Sequence, residues 1–196
     1  MTERVTPAAR LMAAHTRATW PISPSARTLL SVLAVSLLLG SRALGADELP
    51  EYRLKAAILY NFVQFTEWPS EVGPALDLCV VGQDPFGQEI DALQDKPAGV
   101  RHLAVHRKTE SESLKGCSIV FIVPASMGSL SHFISDIHDG AVLTVADSPG
   151  ATRRGVILNM SINQGKVAFE VNLKAAKAAR LKLSSKVLRL ATDVIE

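Results

Sequence analysis

Two short apolar runs carry the clearest patterning in the chain, LDLCVVG (residues 76–82) and CSIVFIVP (117–124). From Ser118 to Val123 every residue but the first is apolar, and most are β-branched or aromatic. A run this short and unbroken, stopped by Pro124, predicts a strand covered on both faces, since a half-buried strand would alternate. RHLAVHRK (101–108) does alternate, with Leu103 and Val105 on one face, and predicts a more exposed strand. AVLTVAD (141–147) adds a fourth strand. GVILNMSIN (155–163) and KVAFEVN (166–172) flank Gln164-Gly165, a short hairpin connection.

Helical spacing appears between these runs. LKAAILYNFVQFTEWP (54–69) predicts a helix that Pro69 stops. Leu54, Ile58, Phe62 and Phe65 form one apolar stripe, suited to a core, and Tyr52, Ala56, Leu59 and Val63 form a second beside it. Tyr52, Leu59 and Val63 are the candidate partner surface. Asp84 is placed to cap a helix with Pro85 at its first position, running on through Ile90 and Leu93. Another helix spans about 129–138. Asn172 can cap a last helical region, 173–195, with Leu181, Leu188 and Leu190 as core candidates and Ser184-Ser185 as a restart or kink. This order predicts an α/β fold: a mainly parallel sheet flanked by helices in Rossmann-like layering, with a C-terminal antiparallel hairpin at the edge.

The first 46 residues read instead as an export signal, leaving 47–196 as a single domain. Arg4, Arg10, Arg17 and Arg27 precede an apolar run at 29–39, and Ala43 and Gly45 follow at signal-peptidase spacing. Eleven residues rise about 16 Å as a helix, too short for an ordinary membrane span. The expectation is therefore an exported, cleaved protein with no stable membrane insertion afterwards. An uncleaved anchor is the competing reading, and Met12 is an alternative start. Without the leader, 21 − 5 = 16 basic residues face 19 − 1 = 18 acidic ones, a net charge of −2. The case for a nucleic-acid partner goes with the leader's arginines. Cys79 and Cys117 are the only cysteines. In an exported chain two cysteines favour one disulfide, and two buried free thiols are the alternative.

Catalytic patterns largely fail. Gly82 and Gly87 have P-loop glycine spacing, but Gln88 and Glu89 stand where Lys and Ser/Thr must be. No GxSxG elbow is present. His102 and His106, four apart on a strand, lie about 13 Å apart, too far to share a metal. His132 and His138 have no evident carboxylate orienter, and Arg153-Arg154 suits a solvated loop. No metal, cofactor or catalytic residue is expected. The loops at the carboxyl ends of parallel strands, where open α/β sheets hold ligands, carry Asp84, Ser126 and Asp147-Ser148. Asp84, Ser126 and Asp147 are the candidate ligand crevice of a small-molecule-binding protein.

Taken together, LKAAILYNFVQFTEWP, CVVGQDPFG (79–87), LKGCSIVFI (114–122), VLTVADSPG (142–150) and the block from 154 to 191 resemble the YfiR family (DUF4154). The resemblance implies a periplasmic α/β protein without enzymatic activity, often a homodimer. It implies a negative regulator of an inner-membrane diguanylate cyclase, or another membrane sensor protein, bound through its periplasmic sensing domain. Cys79 and Cys117 occupy the positions of the family's cysteine pair, which implies the disulfide.

Overall fold

The structure, a computed structural model, describes residues 48–163 and 166–196. The export-signal reading and the Gln164-Gly165 connection lie outside the described residues.

The two apolar runs pair as expected. Strand β2 (Ala75–Val81) lies parallel to β5 (Ile119–Ile122), with Leu78 opposite Ile119 and Val81 opposite Ile122. The chain begins with helix α1 (Glu48–Gln64) and a short strand β1 (Thr66–Glu67). Between β2 and β5 come α2 (Gln88–Asp91), β3 (Pro97–Ala98) and β4 (Arg101–Lys108). Beyond β5 lie a 3₁₀ turn (Pro124–Ser129), α3 (Leu130–Asp136), β6 (Leu143–Ala146), β7 (Leu158–Asn163) and β8 (Lys166–Asn172). The chain closes with α4 (Leu173–Ala178), β9 (Lys182–Leu183), α5 (Ser185–Leu190) and β10 (Asp193–Ile195).

Eight strands form one sheet in the order β10-β8-β7-β6-β5-β2-β4-β3. Five neighbouring pairs are parallel, and two, β3 with β4 and β7 with β8, are antiparallel. The sheet is therefore mixed, and the expected parallel pattern is unbroken along β4-β2-β5-β6-β7 and returns only where β10 joins β8. The hairpin is not the edge either. β10 adds to β8 in parallel, with Val194 opposite Val171, and Thr192 fixes the approach by donating its amide and hydroxyl to the Phe169 carbonyl.

Alternation along the central strands divides the interior into two cores. Leu76, Leu78 and Val80 of β2 join Ile119, Phe121, Leu143 and Val145 on the face covered by α1. Cys79 and Val81 join Val120, Ile122, Leu130 and Phe133 on the face covered by α3. Each strand is apolar on both sides, the cause of its unbroken run. On the α3 side Cys79 and Cys117 form a disulfide, with S–S 2.03 Å and Cα atoms 6.0 Å apart.

Three expectations are corrected at the level of elements. The first helix ends at Gln64, not Pro69. Thr66 turns its hydroxyl onto the Phe62 carbonyl at 2.7 Å, and the chain enters β1, which pairs with β9. The 173–195 region is not one helix but two helices and two strands. Arg180 adopts a left-handed conformation (φ 58°) that stops α4, and the Ser184 side chain accepts from the Val187 amide to start α5. Leu181 is buried, but Leu190 is 65% exposed. The Asn172 cap is present, its side chain accepting from the Ala175 amide. Asp84 does not cap a helix: its carboxylate accepts from the Phe86 amide in a tight turn, and Gly87 stands at the N-cap of α2.

Candidate functional site

The partner stripe expected on α1 does not reach the surface. Leu59 and Val63 are 0% and 2% exposed and pack in the larger core. Both stripes of α1 are used, because the helix lies on the sheet while α5 and Phe169 close over its flank. Tyr52 is half-buried, its ring edge-on to Phe86, which in turn meets Phe121. The exposed apolar surface lies elsewhere. Val167 on β8 and Leu190 on α5, 39% and 65% exposed, border a groove of about 420 Å³ floored by Phe62 and Phe65.

The three crevice candidates do sit at carboxyl ends of strands, but in separate networks. Asp84 holds Arg107 at 2.7 Å, and Arg107 also holds Asp91 at 2.7 Å. Ser126, buried at 1% exposure, donates to Glu110 at 2.7 Å, and Ser129 donates to the other Glu110 oxygen. These two hydroxyls hold the Glu110 carboxyl below its ordinary range. Ser126 also explains Gly82, where a Cβ would lie 2.3 Å from the Ser126 Oγ and where φ is +103°.

Asp147 lines a cavity of about 380 Å³ between the start of α1, the loop after β6, and strands β7 and β8. Asp147 directly follows β6, and its side chain is 2% exposed. Its Oδ2 accepts from Lys55 Nζ at 2.7 Å. The Lys55 side chain, 7% exposed, is also held by Glu51 one turn earlier and lies 4.3 Å from the centre of the Tyr52 ring. Burial alone would lower the Lys55 ammonium, but hydrogen bonds from Asp147 and Glu51 outweigh it and the net shift is upward. Burial first, and then the Asp147 charge, raise the Tyr52 hydroxyl. Ser148 is fixed by its amide, which donates to the Asn159 side chain on β7 at 3.0 Å.

Two side-chain atoms of the described residues are buried without a hydrogen-bond partner, Asp147 Oδ1 and Ser148 Oγ, and both residues line this cavity. Native interiors rarely leave such groups unmet, so their pairing here is informative. Sequence reasoning reached Asp147 and Ser148 through their place after a strand. It missed Lys55, whose signal was a lone cation within the apolar face of the first helix. Glu170, across the cavity on β8, accepts from Thr152 at 2.7 Å. Among the described residues no group of His, Cys, Asp and Glu suits a metal ion, and no helix is long and apolar enough to cross a membrane.

A mixed eight-stranded sheet with helices on both faces, holding a polar cavity beyond its central strands, defines the class of protein. The chain belongs to the YfiR/HmsC-like family (DUF4154), whose model matches residues 52–192. No curated protein matches it. The crystal structure of a conserved domain protein from Vibrio cholerae is similar, with a TM-score of 0.50 at 9% identity, over 73% of this chain and 60% of that one. At such identity the likeness concerns the fold alone.

Proposed function

We propose that the protein is a periplasmic regulator that represses an inner-membrane diguanylate cyclase by binding its periplasmic sensing domain. The observation that carries this reading is family membership over residues 52–192. In this reading residues 1–46 are a cleaved export signal and 47–196 act as one domain, as a homodimer and without catalysis of their own. Exposed Val167 and Leu190 supply apolar surface of the kind that protein contacts cover. The test is co-expression with membrane cyclases of the same cell, measuring cyclic di-GMP and cross-linking in intact envelopes. A fall in cyclic di-GMP with a cross-link to a cyclase is expected. Unchanged cyclic di-GMP and no cross-link to any cyclase or sensor protein would retire the proposal.

A second reading, small-molecule binding, is favoured by a cavity of about 380 Å³ whose lining brings Lys55, Asp147 and Ser148 together at the carboxyl end of β6. Asp84 and Ser126 lie in separate networks, bonded to Arg107 and Glu110. A ligand that binds the native state raises the unfolding midpoint by mass action. A metabolite panel that produces no shift at saturating concentration would count against this reading.

A further inference from the structure

We propose that the C-terminal edge of the fold, around the groove between α1 and α5, docks on an anionic phospholipid surface. The inference goes beyond the regulator reading and needs no protein partner.

Charge is divided unevenly along the chain. Residues 48–163 hold 9 basic and 14 acidic residues, 9 − 14 = −5, whereas 166–196 hold 7 basic and 3 acidic, 7 − 3 = +4. The positive part also folds together: β8 and β10 end the sheet, β9 pairs with β1, and α5 packs beside α1. Of its seven basic residues only Arg180 forms an ion pair among the described residues, with Glu71 at 3.1 Å. Asymmetry of this kind marks chains that meet polyanions or membranes.

Apolar groups are exposed in the same place. Leu190 and Val167, 65% and 39% exposed, border the groove floored by Phe62 and Phe65. Lys186 brings the one charge to its lining, with Nζ 4.7 Å from the centre of the Phe65 ring, and exposed Arg189 stands next to Leu190. Apolar side chains beside flexible cations suit a lipid interface: the first enter the headgroup boundary while the stems of the second reach its phosphates. The negative remainder is repelled by the same surface, which turns this edge inward.

Other occupants fit less well. A second copy packed about a twofold axis would bring Lys186 and Arg189 towards their own equivalents, a juxtaposition of like charges. Five of the seven basic residues are lysines, which protein interfaces are depleted of in favour of arginine and its bidentate pairs. A headgroup layer presents diffuse negative charge and requires no such fixed geometry.

The experiment is flotation of the exported protein with vesicles of phosphatidylglycerol and phosphatidylcholine in equal parts, and separately with phosphatidylcholine alone. Binding to the anionic vesicles is expected to be at least about tenfold tighter. It should fall steeply between about 0.1 M and about 1 M salt, as the Debye length shrinks from ~10 Å to ~3 Å. Each basic residue near such a surface strengthens binding on the order of fivefold, so Lys186→Gln with Arg189→Gln should weaken it more than about tenfold. Lys96→Gln with Lys115→Gln removes the same charge from exposed positions outside this edge and should leave binding nearly unchanged. Leu190→Asn should weaken binding, and the emission of Leu190→Trp should move to the blue on anionic vesicles. Leu190 is exposed, so both variants keep the native fold. Equal binding to both vesicles, binding to neither, an equal loss in the Lys96 and Lys115 control, or Leu190→Trp emission unmoved by lipid would overturn the proposal. A cross-link from position 190 to a membrane protein, without vesicle binding, would give the face to that protein instead. Vesicles carry no protein, so the two readings fail separately: repression without vesicle binding retires the lipid surface alone, and vesicle binding without repression retires the regulator alone.

Discussion

The two ends of the central strands make opposite use of charge. At the amino ends lies the larger cavity, about 790 Å³, lined by Cys117, Asp77 and Asp136 among others. Its carboxylates are satisfied. Asp136 accepts from the Leu114 amide at 2.6 Å and the Ser113 hydroxyl at 3.0 Å, and Asp77 meets His106 at 2.7 Å. At the carboxyl ends the cavity has about half that volume, yet two of its lining residues, Asp147 and Ser148, carry the buried atoms left without a hydrogen-bond partner among the described residues. Volume and unmet hydrogen bonding therefore point to different ends. An orphaned buried group costs about 1–3 kcal/mol, so its presence at one end is the sharper contrast between the two.

The largest expected effect breaks the carboxyl end. Lys55→Met leaves Asp147 ionised and buried without its counter-ion, which should cost about 3–5 kcal/mol. Urea unfolding measures it, and adding Asp147→Leu should recover a substantial part. If Lys55→Met were neutral, the pair would not be the buried unit described here. At the amino end the disulfide closes a loop of 38 residues. Its removal by Cys79→Ala with Cys117→Ala should cost roughly 4 kcal/mol in the chain-entropy model. Combining this change with Lys55→Met should give additive losses, because the disulfide sits in the core under α3 while Lys55 belongs to α1 on the other face of the sheet. A large coupling term would show that the ends are not independent.

Gly82→Ala should cost less, on the order of 1–3 kcal/mol, as a strained backbone with little room for the methyl group. The Cβ would face Ser126 Oγ at 2.3 Å and Val123 Cγ2 at 2.5 Å. A Gly82→Ala protein as stable as the parent would mean that the turn after β2 can be rebuilt without strain.

Much of the central sheet was legible because its strands are buried on both faces, and that condition writes itself as an unbroken apolar run. Ile119 to Ile122 needs no partner to be recognised. The short pieces were not legible. β9 and β10 contain only two and three residues, and their pairing with Thr66-Glu67 and with 170–172 depends on contacts far along the chain. Helical propensity from Leu173 onward masked them until Arg180 and Ser184 broke the run. The site was half legible. Asp147 follows from topology, since it ends a central strand, but the separation of Asp84 and Ser126 into other networks needed coordinates. Leu59 and Val63 were misassigned because periodicity marks an apolar face without saying what covers it.

The smallest expected effect uses pH to separate the two ends. Asp136 at the amino end is held below its ordinary value of 3.8, chiefly by the Leu114 amide. A depressed carboxyl contributes stability above its unfolded pKa and loses it as pH falls through the folded value, so its effect belongs below about pH 4. Lys55 is raised above 10.5, so its contribution is complete below that value and disappears as pH climbs through the higher folded one. Urea midpoints from pH 3 to pH 11 should therefore show a flatter acid limb in Asp136→Asn and an unchanged alkaline limb. Lys55→Met should alter the alkaline limb. Because Asp136 lies at the surface, its acid-limb change should be small and should shrink with added salt. An acid limb identical in Asp136→Asn and the parent would show that the larger cavity's charges, although satisfied, do not stabilise the amino end.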